Sequence, residues 1–166
     1  MSDGKELAER FSAFVAATDF TMYVVTTAVD GERSGCLVGF ASQVSIDPQR
    51  FMVGLSKENH TTAIAMHASF LAVHVLPRDD MTLARLFGHE TGDEIDKFAR
   101  CSWTEGSGGA PGLDDAAGWF VGRVVSRLDL GDHVGHLLEP VAVSDAAPGP
   151  FVTFSQVKDL DPGHDA

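Results

Sequence analysis

Residues Met22 to Val29 read MYVVTTAV, and Asp30-Gly31 follows at once. A β-branched, apolar run closed by Asp-Gly is a strong short-range hairpin signal. The returning strand is expected from about Ser34 to Ser42. Downstream, Asp47-Pro48 marks a turn before a strand at Phe51–Ser56, and Phe70–Leu76 (FLAVHVL) reads as another. Gly118–Leu130 and Val134–Val143 read as two long strands around a Gly-Asp-His turn, and Phe151–Phe154 as a last short one. Strands outnumber helices and are joined by tight turns, which favours an antiparallel sheet over a doubly wound parallel one. About seven or eight strands close most naturally into a β-barrel of α+β type, because closure removes exposed edges.

Helices are expected around that barrel. Asp3–Ala17 carries Leu7, Phe11, Phe14 and Val15 on one stripe, with Asp3 as a candidate N-cap and Glu6 in capping-box position. Asn59–His67 is a short helix that Asn59 or Thr61 can cap, and Asp79 or Asp80 can start another that runs through Phe87 and is closed by Gly88. His89–Asp115 is polar and Gly-rich, with its clearest loop at Gly106–Gly109, and the acidic tail from Asp159 onward is expected to be loose. The 166 residues suit one domain, 1–166, with a helical N-terminus, a barrel over about 20–155 and a tail over about 156–166.

Composition narrows the function classes. Hydrophobic residues make up 44% and charged residues 22%, a soluble globular profile rather than a disordered one. Twenty-four acidic against twelve basic residues give a formal net charge of -12, which opposes nucleic-acid binding and docking on anionic lipid. The tract Ala63–Leu76 is broken by His67, Ser69 and His74 and is too short to span a bilayer. Cys36 and Cys101 form neither a disulfide framework nor a zinc ligand set, so a reduced, cytoplasmic compartment is expected.

The chain contains no Walker A loop, dinucleotide-binding glycine fingerprint, Gly-x-Ser-x-Gly elbow or His-Glu-x-x-His. Three segments remain. In Gly35–Pro48 (GCLVGFASQVSIDP), glycines at 35 and 39 would let a flat ligand approach the backbone, although glycine in a strand more often marks a bulge. In Leu55–Thr62 (LSKENHTT), a strand end, a polar loop and a helix start could bind an anion through Ser56, Asn59, Thr61 and Lys57, or simply cap the helix. In Gly131-Asp132-His133, the histidine could sit against a cofactor with Asp132 setting its tautomer, or the three residues could just make a turn. His133 and His136 lack a third ligand at usable spacing, so no metal is expected.

The order of these blocks is more telling than any one of them. MYVVTT, DGERSG, VSIDP, LSKENHT, FLAVHVL, Lys97-Phe98, GAPGLDDA and GDH together resemble the flavin reductase-like family with the FMN-binding split-barrel fold, over about Met22 to Phe154. The resemblance implies a closed antiparallel split barrel with peripheral helices, a homodimer, and a flavin held near the dimer interface. Gly39, Phe40, Ala41, Ser42, Gln43, Val44 and Ser45 would then contact the isoalloxazine ring. Ser56, Lys57, Asn59 and Thr61 would bind the ribityl phosphate, and His133 would lie near the nicotinamide or the flavin face as the catalytic residue.

The implied activity is that of an NAD(P)H:flavin oxidoreductase, with FMN or FAD as hydride acceptor and a monooxygenase as partner for the reduced flavin. Leu37, Gly39 and Gln43 stand where the family usually has Thr, Ser and Ser, and Asn59 where it usually has Ser. These departures remove side-chain hydrogen bonds to the flavin and leave room for a deazaflavin such as F420. They also leave room for a flavin- or deazaflavin-binding protein acting on another small substrate, or for a binding module. No Arg cluster marks a choice of NADPH over NADH.

Overall fold

The computed structural model describes residues 2–89 and 95–160. Helix α1 spans Ser2–Ala17. Because it already includes Ser2, Asp3 lies in its first turn rather than capping it. Its stripe faces solvent, with Leu7, Phe11 and Phe14 each more than 60% exposed. Strands β1 (Tyr23–Val29) and β2 (Glu32–Val38) form the expected hairpin. Asp30 and Gly31 both take positive φ, 50° and 80°, as the tight turn requires.

The returning strand does not continue to Ser42. It breaks at Gly39–Phe40, and the chain resumes as β3 (Ala41–Ser45), paired with β4 (Arg50–Ser56). Helix α2 (His60–Ala65) and β5 (Phe70–Val75) follow. Helix α3 covers Thr82–His89, with Asp80 Oδ1 accepting from the Thr82 amide 3.0 Å away. Gly88 therefore lies inside α3 rather than ending it; a side chain there would meet Leu37 at 2.7 Å.

The polar stretch after α3 is more structured than its composition suggests. A 3₁₀ turn at Lys97–Arg100 leads into a small hairpin of β6 (Trp103–Glu105) and β7 (Pro111–Leu113). Residues 90–94 of that stretch lie outside the described residues. Strands β8 (Gly118–Asp129) and β9 (His133–Val143) are the two long ones. The expected strand at Phe151–Phe154 reduces to single bridges, Pro77 to Phe151 and Thr21 to Thr153, before α4 (Phe154–Val157). Thr153 and Gln156 form a capping box that turns the chain into helix there. Leu160 packs beside this helix, and tail residues 161–166 lie outside the described residues.

Seven strands make one antiparallel sheet in the order β2-β1-β5-β8-β9-β4-β3. Its two edge strands, β2 and β3, are joined by only two residues, so the sheet must curl until its edges approach each other. This explains the break at Gly39–Phe40: one straight strand could not serve both edges.

Val24 and Val25 point to opposite faces of β1, yet both are fully buried. Val25 packs inside the curl with Val53, Leu55 and Leu138, while Val24 packs outside it with Phe87, Phe98 and Val152. Burial on both faces accounts for the continuous apolar run with which the hairpin begins. Among the described residues no helix is long and apolar enough to cross a membrane.

Candidate functional site

Strands β4 and β9 pair so that Ser56 lies opposite His133 and Gly54 opposite Gly135. The Gly54 amide donates to the Phe40 carbonyl at 2.7 Å, which draws the β2–β3 connection over the end of β4. Just past Ser56, Asn59 caps α2, its Oδ1 accepting from the Thr61 amide at 2.9 Å. These segments meet at a cavity of about 350 Å³ lined by Gly39, Phe40, Gly54, Ser56, Asn59 and His133 at its polar end. That volume falls in the range of small-molecule sites.

His133 is held firmly. Its Nδ1 lies 2.6 Å from Asp132 Oδ1, and its ring packs on Phe40 with centroids 4.7 Å apart. The carboxylate accepts the Nδ1 proton, so Nε2 is the remaining polar atom of a ring that lines the cavity. The loop beneath is tied down in turn. The Lys57 amide donates to the Asp132 carbonyl at 2.9 Å, and the Lys57 ammonium pairs with Asp129 at 3.0 Å. Hydrogen bonding to His133 holds the Asp132 carboxyl below its ordinary range, and the Gly131 amide together with Lys57 does the same for Asp129.

The other expected ligand-binding residues stand outside the cavity lining. Ala41, Ser42, Gln43, Val44 and Ser45 form the edge strand β3, where the Gln43 side chain donates to Gln49 at 2.9 Å and to the Ser45 carbonyl at 3.2 Å. Thr61 is buried, and its hydroxyl shares a 2.8 Å hydrogen bond with Ser34. It supports the wall from behind. Cys36 reaches the wall too, but burial pushes its thiol up to about 11, so it stays protonated near neutrality. His133 and His136, three residues apart on one strand, face opposite sides of the sheet. Among the described residues no three His, Cys, Asp or Glu side chains gather as a metal site.

The rest of the lining was not legible as a site. Phe20, Met22, Leu37, Phe87, Phe154 and Val157 come from separate stretches of the chain, and each reads in sequence as an ordinary core residue. Gly39 faces this apolar part. A β-carbon there would lie 2.6 Å from the Phe20 ring and 2.9 Å from Met22 Sδ, so Gly39→Ala must push the wall aside. A loss of about 1–3 kcal/mol in unfolding free energy is expected, measured by urea titration, together with weaker binding of any ligand in the cavity.

With this geometry in view, the comparisons with known proteins are specific. The flavin reductase like domain matches residues 16–157, and the chain belongs to the flavin reductase-like family. It is 30% identical over 112 residues to the FMN reductase (NADH) RutF of Methylorubrum extorquens, covering 68% of this chain and 54% of that protein. It is 26% identical over 130 residues to the reductase component of the flavin-dependent trigonelline monooxygenase of Acinetobacter baylyi, covering 78% of this chain and 40% of that protein. The chain thus spans about half or less of the length of these two relatives. The fold matches that of the NADH:FAD oxidoreductase SgcE6 of Streptomyces globisporus with a TM-score of 0.74 at 22% identity, covering 88% of this chain and 87% of that one.

Proposed function

We propose that this chain is an NAD(P)H:flavin reductase that uses FMN, or FAD, in the cavity between the β2–β3 connection, the end of β4 and the β8–β9 turn. The observation that carries this reading is the meeting of Gly39, Phe40, Ser56, Asn59 and His133, from three separate stretches of chain, at one end of a single cavity. Its donor set suits a flavin. The missing side chains at Gly39 and Gly54 let Phe20, Met22 and Phe40 close up as the cavity wall, while the Ser56 hydroxyl and the Asn59 amide offer hydrogen bonds to a phosphate tail. The names of the relatives, an FMN reductase and a monooxygenase reductase component, agree with this chemistry.

When bound, flavin is the acceptor for the hydride that NAD(P)H delivers. The chain's own task is to position and to exclude. Apolar walls keep water from the reacting rings. The main chain of Ala41–Ser45, at the sheet edge, has outward amide groups available to the polar rim of the ring. Asp132 fixes the His133 tautomer, and Phe40 fixes the plane of its ring. Lys57 and Ser56 meet the phosphate, with Asn59 shaping that end and Thr61 holding Asn59 in place.

The finer features of the assembly belong to the same reading. Closure of the curled sheet completes a split barrel. A homodimer covers the exposed apolar side chains of α1 and of the β3 edge, where Val44 is 55% and Ile46 76% exposed. Reduced flavin passes to a monooxygenase partner. Two free thiols, one of them buried, suit a reduced cytoplasmic setting.

Binding tests the phosphate assignment directly. Ser56→Ala is expected to weaken FMN about tenfold and riboflavin less than twofold, since only FMN carries the phosphate and a hydrogen bond to a charged group is worth about 1.5–3 kcal/mol. Fluorescence titration of both flavins reads the difference. Equal losses for the two would remove Ser56 from the phosphate site.

A further inference from the structure

Residues 34–62 supply every residue of the cavity's polar end except His133, and their Lys and Arg side chains are Arg50 and Lys57. Each of the two is already matched with a carboxylate. Arg50 pairs with Glu139 at 3.3 Å, and the Lys57 ammonium pairs with Asp129 at 3.0 Å. Lys57 also acts on Asp132, whose carboxyl it helps His133 to hold below the ordinary range. One cation thus stands among two carboxylates, next in the chain to Ser56, the residue assigned to the phosphate.

The pairing is built into the loops. Asp129 Oδ1 accepts the Gly131 amide at 2.9 Å as well as the Lys57 ammonium, so the β8–β9 turn itself orients the carboxylate. From the other side, the Lys57 amide donates to the Asp132 carbonyl at 2.9 Å, which pins the lysine backbone to the same turn. Both side chains remain accessible, 42% exposed for Lys57 and 75% for Asp129. An exposed pair contributes little to stability, so a stronger anion can exchange with it.

We propose that Asp129 is a specificity-determining residue for the flavin: it competes with the flavin phosphate for Lys57 and so reduces the advantage of FMN over riboflavin. The inference rests on the assignment of Ser56 and Lys57 to the phosphate. A phosphate at Ser56 gains Lys57 only by drawing it away from Asp129, whose carboxylate stays on the Gly131 amide. The consequence is looser binding of the phosphorylated flavin, which suits a flavin that arrives, is reduced and leaves. Asp129 acts through Lys57 and does not itself touch the flavin.

Fluorescence titration of FMN and of riboflavin with the full chain reads the effect in Asp129→Asn, Lys57→Gln and the two combined. Asp129→Asn keeps an oxygen for the Gly131 amide and removes the charge. It is expected to tighten FMN about threefold to fivefold, the size of one exposed ion pair, and to leave riboflavin within about 1.5-fold. Lys57→Gln should weaken FMN about threefold with riboflavin again within about 1.5-fold. With Lys57 replaced, adding Asp129→Asn should change FMN less than about twofold, because only screened repulsion remains to be relieved.

No gain for FMN in Asp129→Asn, an equal gain for riboflavin, or the full gain with Lys57 already replaced would each overturn the inference. If Lys57→Gln leaves both flavins unchanged, Lys57 does not meet the phosphate and the inference falls with that assignment. Selective loss of FMN in Lys57→Gln without a gain in Asp129→Asn keeps the phosphate assignment and rejects the role of Asp129 alone.

Discussion

Acidification from pH 6.5 to pH 4 is expected to remove about 3 kcal/mol of folding stability through His74 alone, with a loss of the same sign through His136. Burial, opposed by the Val24 carbonyl, lowers the His74 imidazole from 6.5 to about 4. Burial first, and then Arg127, lowers His136 to about 4 as well. In this window the unfolded chain takes up protons that the folded chain refuses, so stability rises with pH and is complete above 6.5.

The geometry at His74 gives the reason. Nδ1 lies 2.9 Å from the Val24 carbonyl, and Nε2 accepts the Leu113 amide at 3.0 Å, so the neutral tautomer satisfies both neighbours. A second ring proton would face an N–H. Urea unfolding at pH 7, 5.5 and 4.5 measures the slope. His74→Phe should lower stability at pH 7 by about 1–3 kcal/mol, because it leaves the Leu113 amide without its acceptor in the core and takes one partner from the Val24 carbonyl, and it should also flatten the slope. A pH-independent wild type would contradict the account. The lowered carboxyls Asp19, Asp80, Asp129 and Asp132 act in a different window: their contributions are lost as pH falls below about 4.

His133→Ala is expected to reduce flavin-dependent NAD(P)H oxidation by about tenfold to a hundredfold, while the FMN dissociation constant changes by less than about threefold. The ring contributes one oriented polar atom, Nε2, and a surface packed on Phe40. Both matter for placing the second reactant against the first. Neither is asked to hold the phosphate, a role proposed for Ser56 on the neighbouring strand. Asp132→Asn should give part of the same loss, because the amide no longer selects the Nδ1–H tautomer. Stopped-flow hydride transfer and flavin titration separate rate from affinity. An unchanged transfer rate in His133→Ala would take His133 out of the reaction.

What the sequence showed, and what it hid, follows from how its residues are used. The β1–β2 hairpin was plain because Asp30 and Gly31 take positive φ, a demand few residue pairs meet. His133 and Ser56 stood out as polar residues in a motif and at a strand end, and the register then places them opposite each other. The break at Gly39–Phe40 was hidden because glycine in an apolar run also fits a bulge, and only the sheet order shows that two edges had to be served. The apolar walls were hidden for a plainer reason: Phe154 facing a cavity and Phe98 facing the core are the same residue type in the same kind of pattern. The α1 stripe shows the converse, since its spacing promises burial that the isolated chain does not provide.

The central claim is that this cavity brings a flavin and a nicotinamide coenzyme together for hydride transfer. Its most direct measurement is the oxidation of NADH and of NADPH at 340 nm by the purified chain, with FMN, FAD and riboflavin each added in turn. The account predicts saturable oxidation of at least one coenzyme that depends on added or co-purified flavin, lost in proportion when Ser56 and His133 are changed. No nicotinamide oxidation with any of the three flavins would contradict it.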